Sequence, residues 1–287
     1  MRRELVIFAV ILAVVLALWL FGRSLVADIA GGQIKSAFPG CDVSIDGIEV
    51  RSADLIAITG IDVKKGDALR YRIKQVEIRF SPLSLFTKII PEVTVKGGSL
   101  EFNSPGKKLR DIIEYPALKP GKAFVVRSLI ITGMAVELNT ADWKLSLLAS
   151  GNMKAGKTVV YDAKIEAGGI DLALLPKGLN AEGRVEMKGI MSGAIALRGE
   201  QKDITDIKGD FSTAAPGGSL VITDKEILKR LADNTKQPLS LIEDSFGNYD
   251  FTKGTLGVSR NKDSILLHVI LEGAKGKRDV TVALHGF

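Results

Sequence analysis

Beyond residue 40 the chain alternates apolar and polar positions in short runs. Val76, Ile78 and Phe80 are separated by Glu77 and Arg79, Val93 and Val95 by Thr94, and Leu100 and Phe102 by Glu101. The alternation returns at Leu145 and Leu147, at Val185 and Met187, and at Ile195 and Leu197. A period of two puts every second side chain on one face, so these runs predict half-buried strands with one apolar side. Glycines punctuate them at Gly97-Gly98, Gly133, Gly168-Gly169, Gly189, Gly217-Gly218 and Gly273. The expected fold is mainly β: an extended, curved antiparallel sheet built as a meander, with two or three short amphipathic helices.

Five segments depart from period two. Leu5 to Phe21 is an unbroken apolar run between Arg2-Arg3-Glu4 and Gly22-Arg23. At a rise of about 1.5 Å per residue its helix would be roughly 26 Å long, enough to span a hydrocarbon core. Trp19 and Phe21 stand where interfacial aromatics belong, and no small-x-small cleavage site follows, so an uncleaved anchor is preferred over a signal peptide. Arg2 and Arg3 favour a cytoplasmic N-terminus, with Arg23 partly offsetting them. Ser104-Pro105 opens a predicted helix over 107–115. Thr223-Asp224-Lys225-Glu226 reads as a capping box for a second helix, with Ile227, Leu228 and Leu231 on one side, and a third follows Pro238 through Leu239 and Ile242. The apolar run Ile265 to Leu271 predicts a strand covered on both faces, with the capped helix packed across it.

Composition narrows the chemistry. The 287 residues are 46% hydrophobic, 25% charged and 6% aromatic, a balance that excludes disorder. Cys41 is the lone cysteine and His268 and His285 the two histidines, so no disulfide and no metal-ligand cluster is expected. His268 reads as a satisfied core or rim residue. Gly151 to Thr158 fits the phosphate-loop pattern GxxxxGK[ST], but the β-branched Thr158-Val159-Val160 after it predicts a strand where such a loop requires a helix. Lys64, Lys65, Arg70, Arg72, Lys74, Arg79 and Lys88 cluster with few aromatics available among them, which argues against nucleic acid. A solvated strand face is the favoured reading, with attraction to anionic headgroups as the sharper one. No catalytic residues and no cofactor are expected.

The order of features resembles the AsmA-like proteins of bacterial envelopes. The carrying residues are Val43 to Ile48, Ile58 to Ile61, Val76 to Leu85 with its Ser81-Pro82-Leu83-Ser84-Leu85 turn, Ile89 to Phe102 and Ser128 to Gly133. Ile207 to Phe211, Pro216 to Leu220 and Phe246 to Phe251 are similar to the YdbH-like end of that group. The resemblance implies a single-pass inner-membrane anchor (1–22), a connector (23–38), a β-rich groove region in the periplasm (39–206) and a C-terminal β-rich region with amphipathic helices (207–287). It further implies phospholipid as the partner, bound along an apolar groove lined by the alternating residues named above and moved between inner and outer membranes. Other envelope proteins or self-association would extend the groove. A second reading stays open: a structural component of an envelope machine, type II secretion N-like, using its strands for docking.

Overall fold

The computed structural model describes residues 40–52, 54–81, 87–107, 125–141, 144–178, 181–201, 203–261 and 264–285, with positions 32 and 84. The expected membrane anchor, the connector apart from Gly32 and the expected helix beyond Lys107 lie outside the described residues. Among the described residues no helix is long and apolar enough to cross a membrane.

The period-two runs form strands, in chain order β1 (Asp42–Ser52), β2 (Leu55–Lys65), β3 (Leu69–Arg79), β4 (Ile89–Ile90), β5 (Glu92–Ser104), β6 (Val125–Val126), β7 (Ser128–Thr140), β8 (Lys144–Ala155) and β9 (Val159–Asp171). There follow β10 (Val185–Glu200), β11 (Asp203–Ile222), β12 (Tyr249–Phe251), β13 (Lys253–Asn261), β14 (Ser264–Gly273) and β15 (Gly276–His285). One open sheet runs β1-β2-β3-β5-β7-β8-β9-β10-β11-β13-β14-β15, with β12 paired to the far part of β11 and β4 paired with β6 apart from it. The boundary expected at 206/207 falls inside β11, so the groove region and the C-terminal region share one sheet.

The expectation of a wholly antiparallel sheet needs correction at one place. β5 and β7 run parallel, from Val93 opposite Leu129 to Ser104 opposite Thr140. A parallel pair requires a crossover of a dozen residues or more, and the chain between Ser104 and Ser128 is long enough to supply it.

A column of unpaired positions crosses the first half of the sheet. Asp46, Gly60, Lys74, Gly97 and Gly133 are skipped in the pairings of β1, β2, β3, β5 and β7. Gly60, Gly97 and Gly133 have φ of 62°, 67° and 64°, a region that suits glycine and strains other residues. Each extra residue moves the alternation by one position while keeping the apolar set on the same face. Thus Ile56 and Ile58 are followed by Ile61 and Val63, not by residues 60 and 62. The skip is matched in both partners from β1 to β7, so the register holds across the column and shifts only against β8, between Ile131 and Met134.

Buried side chains gather at the two ends of the sheet. At the β1 end, Ile56, Ile58, Ile61, Val63 and Val76 form one cluster, with Ile58 fully buried. At the other end, Leu172, Met191, Tyr249, Phe251 and Leu271 form a second. The 3-10 turn Leu172–Leu174, capped by Asp171, contributes to it. Two helices add a third cluster there: α1 (Lys225–Thr235) and α2 (Leu239–Phe246) bury Leu228, Ala232, Ile242 and Phe246 against Leu220, Ile222 and Val280. The helix therefore packs on the end of β11 and on β15, and not across Ile265 to Leu271 as expected. Its cap is also one residue later than the capping-box reading: Asp224 accepts from the backbone N–H groups of Glu226 and Ile227. Thr223 instead donates to the carbonyls of Gly183 and Arg184, closing the β10 entry. Nor is β14 covered on both faces, because His268 is half exposed on the side opposite Leu271.

Candidate functional site

The register turns the apolar alternation into continuous rows that run across the strands. One row is Ile45, Ile61, Ile73, Gly98, Met134 and Ala149, each directly opposite the next. It continues through Ile165, Ile195, Gly209, Val258, Leu267 and Val282. The neighbouring row begins Val43, Val63, Tyr71, Leu100, Val136 and Leu147. It ends Ala167, Gly193, Phe211, Leu256, Val269 and Val280. Both rows cross all twelve strands of the main path, and the hydroxyl of Tyr71 is the one polar group they carry. Burial pushes that phenol above its ordinary pKa, with the Cys41 thiol adding to the shift. At about 4.8 Å between strands the rows extend roughly 53 Å.

All of the residues expected to line an apolar surface lie on this face, but they do not share one environment. Val76 is buried in the β1-end cluster, and Ile78, Phe80, Val93 and Val95 pack against it. Met187 packs on the second cluster, and Val185 stands opposite Ile222 beside the helices. Leu100, Phe102, Leu145, Leu147, Ile195 and Leu197 are half-buried and belong to no buried cluster. The same holds for Met134, Val136 and Ile165. The apolar face is thus packed at both ends and partly open between them, over β7 to β10.

The opposite face is laced by ion pairs. Arg70 donates to both oxygens of Asp62 at 3.0 and 2.5 Å, Arg72 reaches Glu101 at 2.5 Å, and Lys96 reaches Glu77 at 2.6 Å. The Arg70 hydrogen bond holds the Asp62 carboxyl below the usual range, and the Lys96 hydrogen bond does the same for Glu77. Most of the basic cluster is therefore neutralised by nearby carboxylates: Arg70 by Asp62, Arg72 by Glu101 and Arg79 by Glu92 across strands, and Lys64 by Asp62 within β2. Such exposed pairs contribute little stability, and the arrangement is that of a solvated strand face. A shallow concavity of about 570 Å³ takes most of its lining from this face, including Asn152, Asp162, Lys164, Arg198 and Lys208. Arg198 is committed to Asp162 at 2.6 Å and Lys164 to Glu166 at 2.7 Å.

The phosphate-loop string is part of a hairpin. Gly151 sits within β8 opposite Ala163, Gly156 to Thr158 make the turn, and β9 follows where a phosphate site would need a helix N-terminus. Among the described residues no three His, Cys, Asp or Glu side chains are grouped to hold a metal ion. His268 is satisfied by Asp279 at 2.7 Å, and that contact lowers the Asp279 pKa. No family model and no curated protein matches the chain.

Proposed function

We propose that this chain is a membrane-anchored, AsmA-like protein of the bacterial envelope that holds phospholipid acyl chains along its apolar face and assists their passage between inner and outer membranes. The observation that carries the reading is the pair of apolar rows that crosses every strand of the main path and is left outside the buried clusters over β7 to β10. A single-layer sheet gains nothing from an apolar strip facing water, whereas each acyl methylene placed on it is stabilised by about 0.8 kcal/mol. The rows run across the strands, so a chain lying on them meets successive apolar side chains along the long axis of the sheet. The segment Leu5 to Phe21 would hold the body at the inner membrane, with the body in the periplasm.

The test uses strand alternation as its control. A photo-crosslinking residue at position 147 or 195, placed in living cells, is expected to capture phospholipid, and one at 148 or 196 is not. Equal labelling on both faces, or none on either, overturns the lipid reading. Protein adducts at 147 and 195 would instead support the docking role of an assembly component.

A further inference from the structure

Arg278 brings a cation to the apolar face. It lies in β15 directly opposite the buried Leu271, two residues before Val280, where one of the apolar rows ends. Along a strand, two residues span roughly 6.8 Å, so Arg278 stands beside the last residue of that row and not on it. It stacks on the ring of Tyr249, 5.1 Å from the ring centre. Tyr249 is fully buried, and its hydroxyl donates to the carbonyls of Leu271 and Gly276. The aromatic platform under Arg278 is therefore fixed by the sheet.

Six other described arginines are ion-paired: Arg51, Arg70, Arg72, Arg79, Arg184 and Arg198 each have a carboxylate within ion-pair distance. No ion pair joins Arg278 to a described residue. Its Nη1 donates to the Lys277 carbonyl at 3.2 Å, and its Nε is buried with no hydrogen-bond partner. The carboxylates nearest in sequence do not serve it: Asp279 points to the other face, where His268 and Lys277 occupy it. A partly buried guanidinium without a counter-charge is costly, and stacking on an aromatic ring offsets that only in part. A planar fork with free N–H groups matches the oxygens of a phosphate.

We infer that Arg278, held on Tyr249, is the headgroup site of the apolar face and binds the phosphodiester of a lipid whose chains lie on the row that begins at Val282, the row that stays outside the buried clusters from β7 to β15. The inference rests on the lipid reading above and adds a place and an orientation: headgroup at the β15 end, chains directed toward β7. It also gives the site a chemical preference, for phosphodiester lipids over uncharged lipids with the same chains.

The experiment measures displacement of a fluorescent-acyl phosphatidylglycerol from the full-length chain in dodecyl maltoside. The competitors are dipalmitoyl phosphatidylglycerol, dipalmitoylglycerol and inorganic phosphate. The wild type is expected to favour the phospholipid over the diacylglycerol by about tenfold, and Arg278→Gln to lose that preference while keeping its affinity for diacylglycerol. Arg278→Lys, which keeps the charge and the stem over Tyr249, is expected to retain part of it. It also serves as the readout if the Gln variant does not fold. An undiminished preference in the Gln variant, or in the Lys variant if only that folds and its preference equals that of wild type, overturns the inference. Displacement by millimolar inorganic phosphate as effective as by the lipid would mark a free-phosphate site and overturn it as well. If the wild type fails to bind the probe, the lipid reading itself fails, a result distinct from either of these.

Discussion

The phenol tip of Tyr161 lies directly over the Cα of Gly199, its partner across β9 and β10, so closely that a Cβ on residue 199 would overlap the ring. The Asp203 carbonyl closes the same space from β11, 2.7 Å from where that Cβ would stand. Gly199→Ala is therefore expected to destabilise the protein by about 1–3 kcal/mol, the usual range for overpacking. Tyr161→Ala in the same chain should recover only part of the loss, because the backbone oxygen remains. A double-mutant cycle by denaturant titration measures the coupling, and additive effects would show that ring and glycine do not meet.

Ile58 and Ile195 are the same residue type on the same face, one fully buried and one half-buried outside the clusters. Ile58→Ala should cost about 2–5 kcal/mol, as for a packed core position. Ile195→Ala should cost roughly 1 kcal/mol, since less area leaves contact with protein. Equal losses in thermal or chemical unfolding would mean that the middle of the face is as well covered as its end.

The column of unpaired positions makes phase a shared property of neighbouring strands. Deleting Gly60 removes the step between Ile58 and Ile61 and forces one half of β2 to turn its side chains over. Either Ile56 and Ile58 or Ile61 and Val63 would then face the charged side. The expected outcome is loss of a cooperative unfolding transition, whereas Gly60→Asn, a residue that tolerates positive φ, should lower stability and leave the transition sharp. A sharp transition in the deletion variant would argue that the column is not required.

Acid should act on the polar face. Asp62, Glu77 and Asp279 have pKa values lowered by their hydrogen bonds to Arg70, Lys96 and His268, respectively. A lowered carboxylate contributes stability that is complete above its unfolded pKa and is lost as pH falls through the folded one. The melting temperature should therefore decline below about pH 4. Asp62→Asn is expected to make that decline shallower and to leave the plateau at higher pH nearly unchanged, as surface pairs contribute little there. An unaltered slope in melts followed by circular dichroism would show that Asp62 does not take part.

How much of this was legible in the sequence varies with the range of the interaction. Strict alternation at Val76-Glu77-Ile78 or Ile195-Ala196-Leu197 identifies strand and face together, because a two-residue period is local. The parallel joint of β5 and β7 is invisible at that scale, since alternation carries no direction. At Gly60 and Gly133 the alternation slips, so Ile61 and Met134 drop out of any fixed-period reading, although the glycine itself marks each slip. The environment of each apolar residue is the least legible property: nothing near Ile78 or Ile195 distinguishes a side chain that joins a buried cluster from one that does not. Arg278 is similar. Its sequence neighbours Lys277 and Asp279 suggest a surface charge run, and only the register opposite Leu271 reveals that it faces the other way.

The parallel joint also divides the molecule by the distance over which its parts must find one another. Antiparallel neighbours on either side of it are mostly successive segments, so each pair closes a short loop. At the joint, Val93 meets Leu129 across the intervening chain, the longer closure that a crossover imposes. Because every strand touches only its flanking strands, β1 to β5 and β7 to β15 are two stretches of local order welded along one ladder. Amide protons of that ladder report on the weld. In native-state hydrogen exchange they should open together, while hairpins on the two sides exchange independently of each other.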